Sequence, residues 1–401
     1  MKKSFLFTIL FLAICYSLDA QPACIKDVIY TLTSVKQIPK ARKLMEEQCF
    51  PGNESSPDVW LVRANVFIQL YNYELEMKEK DPKYTIRWPD AIITANESFY
   101  KVLELKPEIK TDPALFEPEE GLLLTAEPIS MLAVKYMDNK NYAEAIKLLN
   151  MVIRTYKYDA EKYALDLSYT YLDLSNCYQS IGDEKSCKEM LLNAAALNAP
   201  LPSVYLSLYD IYRQEKDTIK CGEILAQAHN VIPDSLAINI KGYELDYFSM
   251  VGDSIKLKSA AIKMFEQYRD NPAVITIIAG HLINNKEYSL AESMIKEGLS
   301  VAPNNFDLNQ QMTYRFFYEA IDYDKLKEAK LNEKPRKYLE AEALLKKSNE
   351  ILEKSVIWAE KAYNLNKDDK QHNFMYRQIL VRLNLPVPDE LQQKVDSYYK
   401  Q

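Results

Sequence analysis

Four times along this chain a large residue is followed 16 positions later by a small one, each time inside the same local pattern. In SVYLSLYDIYRQEKDTIKCGEILAQAHNVIPDS, residues 203–235, the marks are Tyr205, Leu208, Tyr209 and Tyr212, then Cys221, Leu225, Ala228 and Pro233. Upstream come Tyr171, Leu174, Ser175 and Tyr178 with Cys187, Leu191 and Ala194, and before them Ile129, Leu132, Ala133 and Tyr136 with Ala145, Leu149 and Val152. Downstream lie Ile275, Ile278, Ala279 and Leu282 with Ala291, Ile295, Gly298 and Pro303. Positions i, i+3, i+4 and i+7 share one helix face, so each unit reads as two amphipathic helices. The small slots let the two helices approach closely and antiparallel. One hairpin cannot bury both of its faces, so the units must stack.

Between the helices the turns are rich in Asn, Asp and Gly: Asn139-Lys140-Asn141, Gly182-Asp183, Lys216-Asp217, Gly252-Asp253 and Asn284-Asn285. Such residues end one helix and cap the next. Two further copies are stretched. Trp60, Ala64 and Phe67 pair with Ala95, Phe99 and Pro107 across an insertion around YELEMKEKDPKYTIRW; Ile238, Gly242 and Leu245 pair with Ala261, Phe265 and Pro272, which predicts a first helix about two turns longer. A degenerate charged copy spans 306–367, and helices at about 370–383 and 388–399 are expected to cap the end.

These slots resemble the tetratricopeptide repeat, a 34-residue helix-turn-helix unit with W-x2-L-G-x2-Y, A-x3-F and P positions. The resemblance covers roughly residues 55–305, with weaker flanks. It implies an all-α, right-handed superhelical solenoid of about six to eight repeats whose inner face, lined by first helices, binds peptides or protein surfaces. The layout is also similar to exported tetratricopeptide-repeat proteins of the Bacteroidota. Departures are visible: the first-helix glycine is kept only as Gly242, with Ala64, Ala133, Ser175 and Ala279 as substitutes, whereas Tyr209 needs room from Cys221. The carboxylate clamp of some relatives is not carried over, because Leu172 and Ser203 stand where cations belong beside Asn176.

The ends and composition bound the setting. Lys2 and Lys3, the apolar run Phe5–Cys15 and Ala20 before Gln21 read as a secretory signal peptide over 1–20. Leu12-Ala13-Ile14-Cys15 resembles a lipobox, with Ile14 where a small residue belongs, so anchoring through Cys15 is the lesser reading. Removing that segment leaves 48 basic against 56 acidic side chains, so a nucleic-acid partner is not expected. The organisation expected is a divergent hairpin at 21–55, the repeat array at 56–305 with an insertion near 71–90, the charged hairpin at 306–367, and capping helices at 368–401. Periplasmic export favours a disulfide between Cys24 and Cys49, at the same end of two arms spanning 24–35 and 39–49; two buried thiols are the alternative.

No metal-ligand spacing, glycine-rich loop or nucleophile motif appears, so no cofactor, metal or catalytic residue is expected. Cys187, Cys221 and the tyrosines fill core slots, and Glu119-Glu120 reads as a solvated pair. Counting five, eight and nine residues on from each first slot gives partner-binding candidates: Asn65, Gln69, Val134, Met137, Asn176, Gln179, Asp210, Arg213, Gln214, Tyr243 and Asp246. This mixture of amides, acids and aromatics suits an extended peptide or loop of an envelope protein, on a non-catalytic scaffold. A glycan- or small-molecule-binding repeat protein at the outer membrane is the second reading, with Trp88 as its one candidate platform.

Overall fold

The computed structural model describes residues 22–105 and 112–398. The expected signal peptide with Cys15, and the Pro107 slot, lie outside them. Among the described residues all regular structure is helical, and the chain divides after Ala199 into two compact units. The first holds α1 (Cys24–Thr33), α2 (Ile38–Leu44, continuing into a π-helical turn at Met45–Cys49), α3 (Pro57–Lys80), α4 (Ala91–Leu105), α5 (Pro118–Leu124), α6 (Ala126–Asp138), α7 (Tyr142–Tyr156), α8 (Ala164–Ser180) and α9 (Glu184–Ala196). The second holds α10 (Pro202–Gln214), α11 (Thr218–Val231), α12 (Ile238–Val251), α13 (Ser254–Tyr268), α14 (Pro272–Asn284), α15 (Tyr288–Val301), α16 (Phe306–Asn332), α17 (Tyr338–Leu365), α18 (Lys370–Arg382) and α19 (Asp389–Tyr398). Within each unit consecutive helices pair as hairpins, and each hairpin packs on the next, giving the all-α helical-repeat architecture.

The turns inside these hairpins share one construction. Lys140, Gly182, Lys216, Gly252 and Lys286 adopt left-handed backbone, with φ of 59°, 78°, 60°, 74° and 63°. The next amide then donates to the carbonyl five residues back: Asn141 to Tyr136, Asp183 to Tyr178, Asp217 to Tyr212, Asp253 to Phe248 and Glu287 to Leu282, at 2.8–2.9 Å. That bond closes the first helix as a Schellman motif. The same residue caps the second helix: the side chains of Asp183, Asp217 and Asp253 each accept the amide three residues on, at 3.0 Å.

This turn sets the register, and it corrects one copy. Eight residues before the cap lies the first-helix small slot (Ala133, Ser175, Tyr209, Ala279), and four after it lies the second-helix one (Ala145, Cys187, Cys221, Ala291). Counting from Asp253 gives Leu245 and Leu257, both fully buried. The copy at 238–268 is therefore not stretched: α12 has 14 residues, and the longer first helix is absent. Gly242 is not the repeat glycine either. It lies one turn earlier, and a Cβ placed on it would meet nothing within 4 Å. The misreading has a physical cause, because the two slots that should be large and apolar are Lys241 and Glu244.

The other stretched copy does contain an insertion. It lengthens α3 to 24 residues and returns through a loop held against it. Buried Glu74 accepts the Tyr84 hydroxyl and the Arg87 amide, and the Lys78 ammonium donates to the Pro82 and Tyr84 carbonyls. At the far end α16 and α17 form the long charged hairpin. Arg382 of α18 reaches Asp324 at 2.6 Å, while Leu391 and Val395 of α19 bury completely.

Cys24 and Cys49 are joined by a disulfide, with Cα atoms 5.5 Å apart across a sequence separation of 25. A loop of that length implies about 3–4 kcal/mol of stabilisation in the chain-entropy account. Thiol titration of the denatured, unreduced chain lacking residues 1–20 is expected to find three thiols, Cys177, Cys187 and Cys221, and five after reduction. At the α10–α11 turn a side chain occupies backbone that glycine tolerates best, so Lys216→Gly is expected to raise unfolding free energy by a few tenths to about 1 kcal/mol in urea melts.

Candidate binding groove

In the second unit α10, α12 and α14 are successive first helices. Together they line a groove of about 480 Å³ that includes Asp210, Arg213, Asn239, Gly242, Tyr243, Asp246, Ile277 and His281. Two tyrosine–aspartate pairs cross its wall. The Tyr209 hydroxyl of α10 donates to Asp246 Oδ2 of α12 at 2.9 Å, and the Tyr243 hydroxyl of α12 donates back to Asp210 Oδ2 of α10 at 3.0 Å. The two rings meet edge-on, centroids 5.1 Å apart. Arg213 Nε approaches the same Asp246 oxygen at 3.3 Å, with about half of its side chain exposed.

Tyr209 therefore occupies a slot meant for a small residue by sending its ring toward the next hairpin. Beneath it Cys221 Sγ lies 3.8 Å from the Tyr209 carbonyl. Burial first, and then the hydrogen bond to Asp246, push the Tyr209 hydroxyl far above its ordinary pKa; the same causes, with Asp210, push Tyr243 up to about 12. Both phenols stay protonated and remain donors to carboxylates. Burial lowers the His281 pKa, which favours a neutral imidazole beside the groove.

Of the residues proposed from spacing, Asp210, Arg213, Tyr243 and Asp246 come together here. Gln214 is exposed at the end of α10 but does not line the groove. Asn176 and Gln179 are exposed on α8, Val134 is exposed and Met137 half-buried on α6, and Gln69 is half-buried on α3, all in the first unit. Asn65 is a correction. It is fully buried, donates to the Leu61 and Phe116 carbonyls and accepts the Phe116 amide at 2.7 Å, so it pins the chain ahead of α5 and offers nothing to a partner.

Asn239, Ile277 and His281 were not among the proposed residues. The turn-based register would have exposed part of the signal. In it Tyr243 and Ile277 both stand two residues after a first slot, and Asp210 and Asp246 both stand five after one.

Cys177, Cys187 and Cys221 are buried, and burial raises the pKa of each thiol, that of Cys177 to about 11. Thiolate chemistry is disfavoured at all three. Trp88 is half-buried, with the Arg42 guanidinium 5.1 Å from its ring centroid. Among the described residues no cluster of three metal-ligating side chains occurs, and no helix is long and apolar enough to cross a membrane.

The fold and groove define an all-α helical-repeat protein built from tetratricopeptide-like hairpins. No family model and no curated protein matches the chain. Similar solved structures include the C-terminal part of a TPR repeat-containing protein from Cytophaga hutchinsonii, 20% identical, covering 66% of this chain and 98% of that one at a TM-score of 0.35. A TPR repeats protein from Bacteroides fragilis is 15% identical, covering 64% of this chain and 98% of that one at 0.27. Yeast Tom70 is 12% identical, covering 100% and 92% at 0.32. Likeness at this level fixes neither partner nor activity, and the repeat assignment stands on the slots and turns of this chain.

The crossed pairs couple α10 to α12. A double-mutant cycle of Tyr209→Phe and Asp246→Ala, followed by urea unfolding, is expected to show about 1–2 kcal/mol of coupling energy. Additive single effects would mean that the bond contributes nothing.

Proposed function

We propose that this protein is a non-catalytic scaffold of a bacterial cell envelope that holds an extended peptide or loop of another protein in the groove across α10, α12 and α14. One observation carries the reading. The buried Tyr209 holds Asp246 and the lining Tyr243 holds Asp210, which fixes a wall of two carboxylates, one phenol and the half-exposed Arg213, beside exposed Asn239 and Ile277. A wall that offers donors, acceptors and apolar surface together suits a peptide, which carries backbone polar groups and side chains along one strand. Because its polar groups are already held in place by each other, little ordering cost remains at binding.

Export to the periplasm is part of the same proposal. It is supported by the basic and apolar start of the chain and by a disulfide that an oxidising compartment maintains.

Crosslinking in intact cells, with mass spectrometry of the captured partner, tests the function. The triple variant Arg213→Ala, Asn239→Ala, Ile277→Ser removes exposed side chains only, so helicity and melting are expected to hold while capture falls about tenfold. Undiminished capture by the folded variant would remove the groove from consideration.

A further inference from the structure

A second concavity lies on the α12–α13 hairpin, sharing only Met264 with the groove described above, at the place where the repeat pattern is broken. In neighbouring hairpins the first two large slots are Tyr205 and Leu208, or Ile275 and Ile278, all fully buried. In α12 they are Lys241 and Glu244, which cannot be buried without a partner. Each finds a different one. Lys241, with its side chain 19% exposed, donates to Gln267 Oε1 at 2.7 Å and approaches the exposed Asp234 at 3.5 Å; Glu244 meets His229 Nε2 of α11 at 2.8 Å. Lys241 and Glu244 line a pocket of about 400 Å³ on this hairpin.

Its lining is chemically uneven. Phe248, Ala260 and Met264 supply an apolar wall, while Lys241, Lys256 and Lys263 stand against the single carboxylate Glu244. In a chain of net charge −7 this is a local excess of positive charge. Lys256 is shared with Asp253 at 3.3 Å, and Lys263 is exposed and makes no ion pair among the described residues. A repeat core gains nothing from exchanging two buried apolar residues for a charged pair, and the volume suits a small molecule. We propose that this pocket binds a small amphipathic organic anion, its head group on Lys241 and Lys263 and its apolar body against Phe248, Ala260 and Met264.

Anilinonaphthalene sulfonate, an aryl sulfonate of this shape, is a direct probe by fluorescence titration of the full mature chain at low salt. Saturable binding at one site per chain is expected. Lys263→Gln, at an exposed position, and Lys241→Met, which keeps the side-chain stem, are each expected to weaken it about tenfold. Uncharged phenylnaphthylamine is expected to bind at least as poorly as the sulfonate does to the lysine variants. The Arg213→Ala, Asn239→Ala, Ile277→Ser variant is expected to bind the dye like the unaltered chain, which separates this pocket from the peptide groove. Absence of saturable binding would overturn the proposal. So would unchanged affinity in a Lys263→Gln chain with unaltered helicity and melting.

Discussion

In five hairpins one backbone hydrogen bond reaches over a left-handed residue to the last large slot of the first helix, and the residue that donates it also stands at the start of the second helix. Where that bond forms decides which residue is the small slot and which faces meet. A slip of one position would rotate every later side chain by about 100° around its helix and turn the apolar stripe out of the hairpin. Stacking then follows, because a hairpin with both stripes aligned still exposes one apolar face until the next hairpin covers it.

That discipline holds even where a slot residue breaks the pattern. Tyr209 is too large for its position, yet the turn at Lys216 still places it opposite Cys221, and the ring is accommodated by going outward to Tyr243 and Asp246. Lys241 and Glu244 are too polar for theirs, yet Gly252 and Asp253 still hold Leu245 and Leu257 in the buried small slots. The strain of irregular composition is absorbed by side-chain direction and the backbone stays regular. Both irregularities fall on α10 and α12, and each lies beside a concavity. Departures from local rule gathering at sites is what physical consistency elsewhere in a fold leads one to expect.

Much of this was legible in the residues. The four evenly spaced copies and their turns lie where periodicity and capping residues place them, helices run over Lys370–Arg382 and Asp389–Tyr398, and Cys24 is bonded to Cys49, the pairing that equal arm lengths favour over two buried thiols. In the copy at 238–268 the hydrophobic marks and the Gly252-Asp253 turn point to different registers, and the turn prevails because it fixes the backbone. Helix-face position alone places Asn65 off the core stripe, yet it is fully buried. Its side chain is held by the backbone at Phe116, 51 residues away, a contact that no helical period records.

By itself the sequence determined the unit: its length, its two amphipathic faces, its turn chemistry and the need to stack, since each depends on contacts between residues within a few turns of one another. The tertiary structure alone decided which off-stripe residues act together. Tyr209 with Asp246, Tyr243 with Asp210, and Lys241 with Gln267 are pairs set by how one helix lies against the next, at separations of 37, 33 and 26 residues. A helical period records which way a side chain faces its own axis, and only the packing of axes says what it meets there.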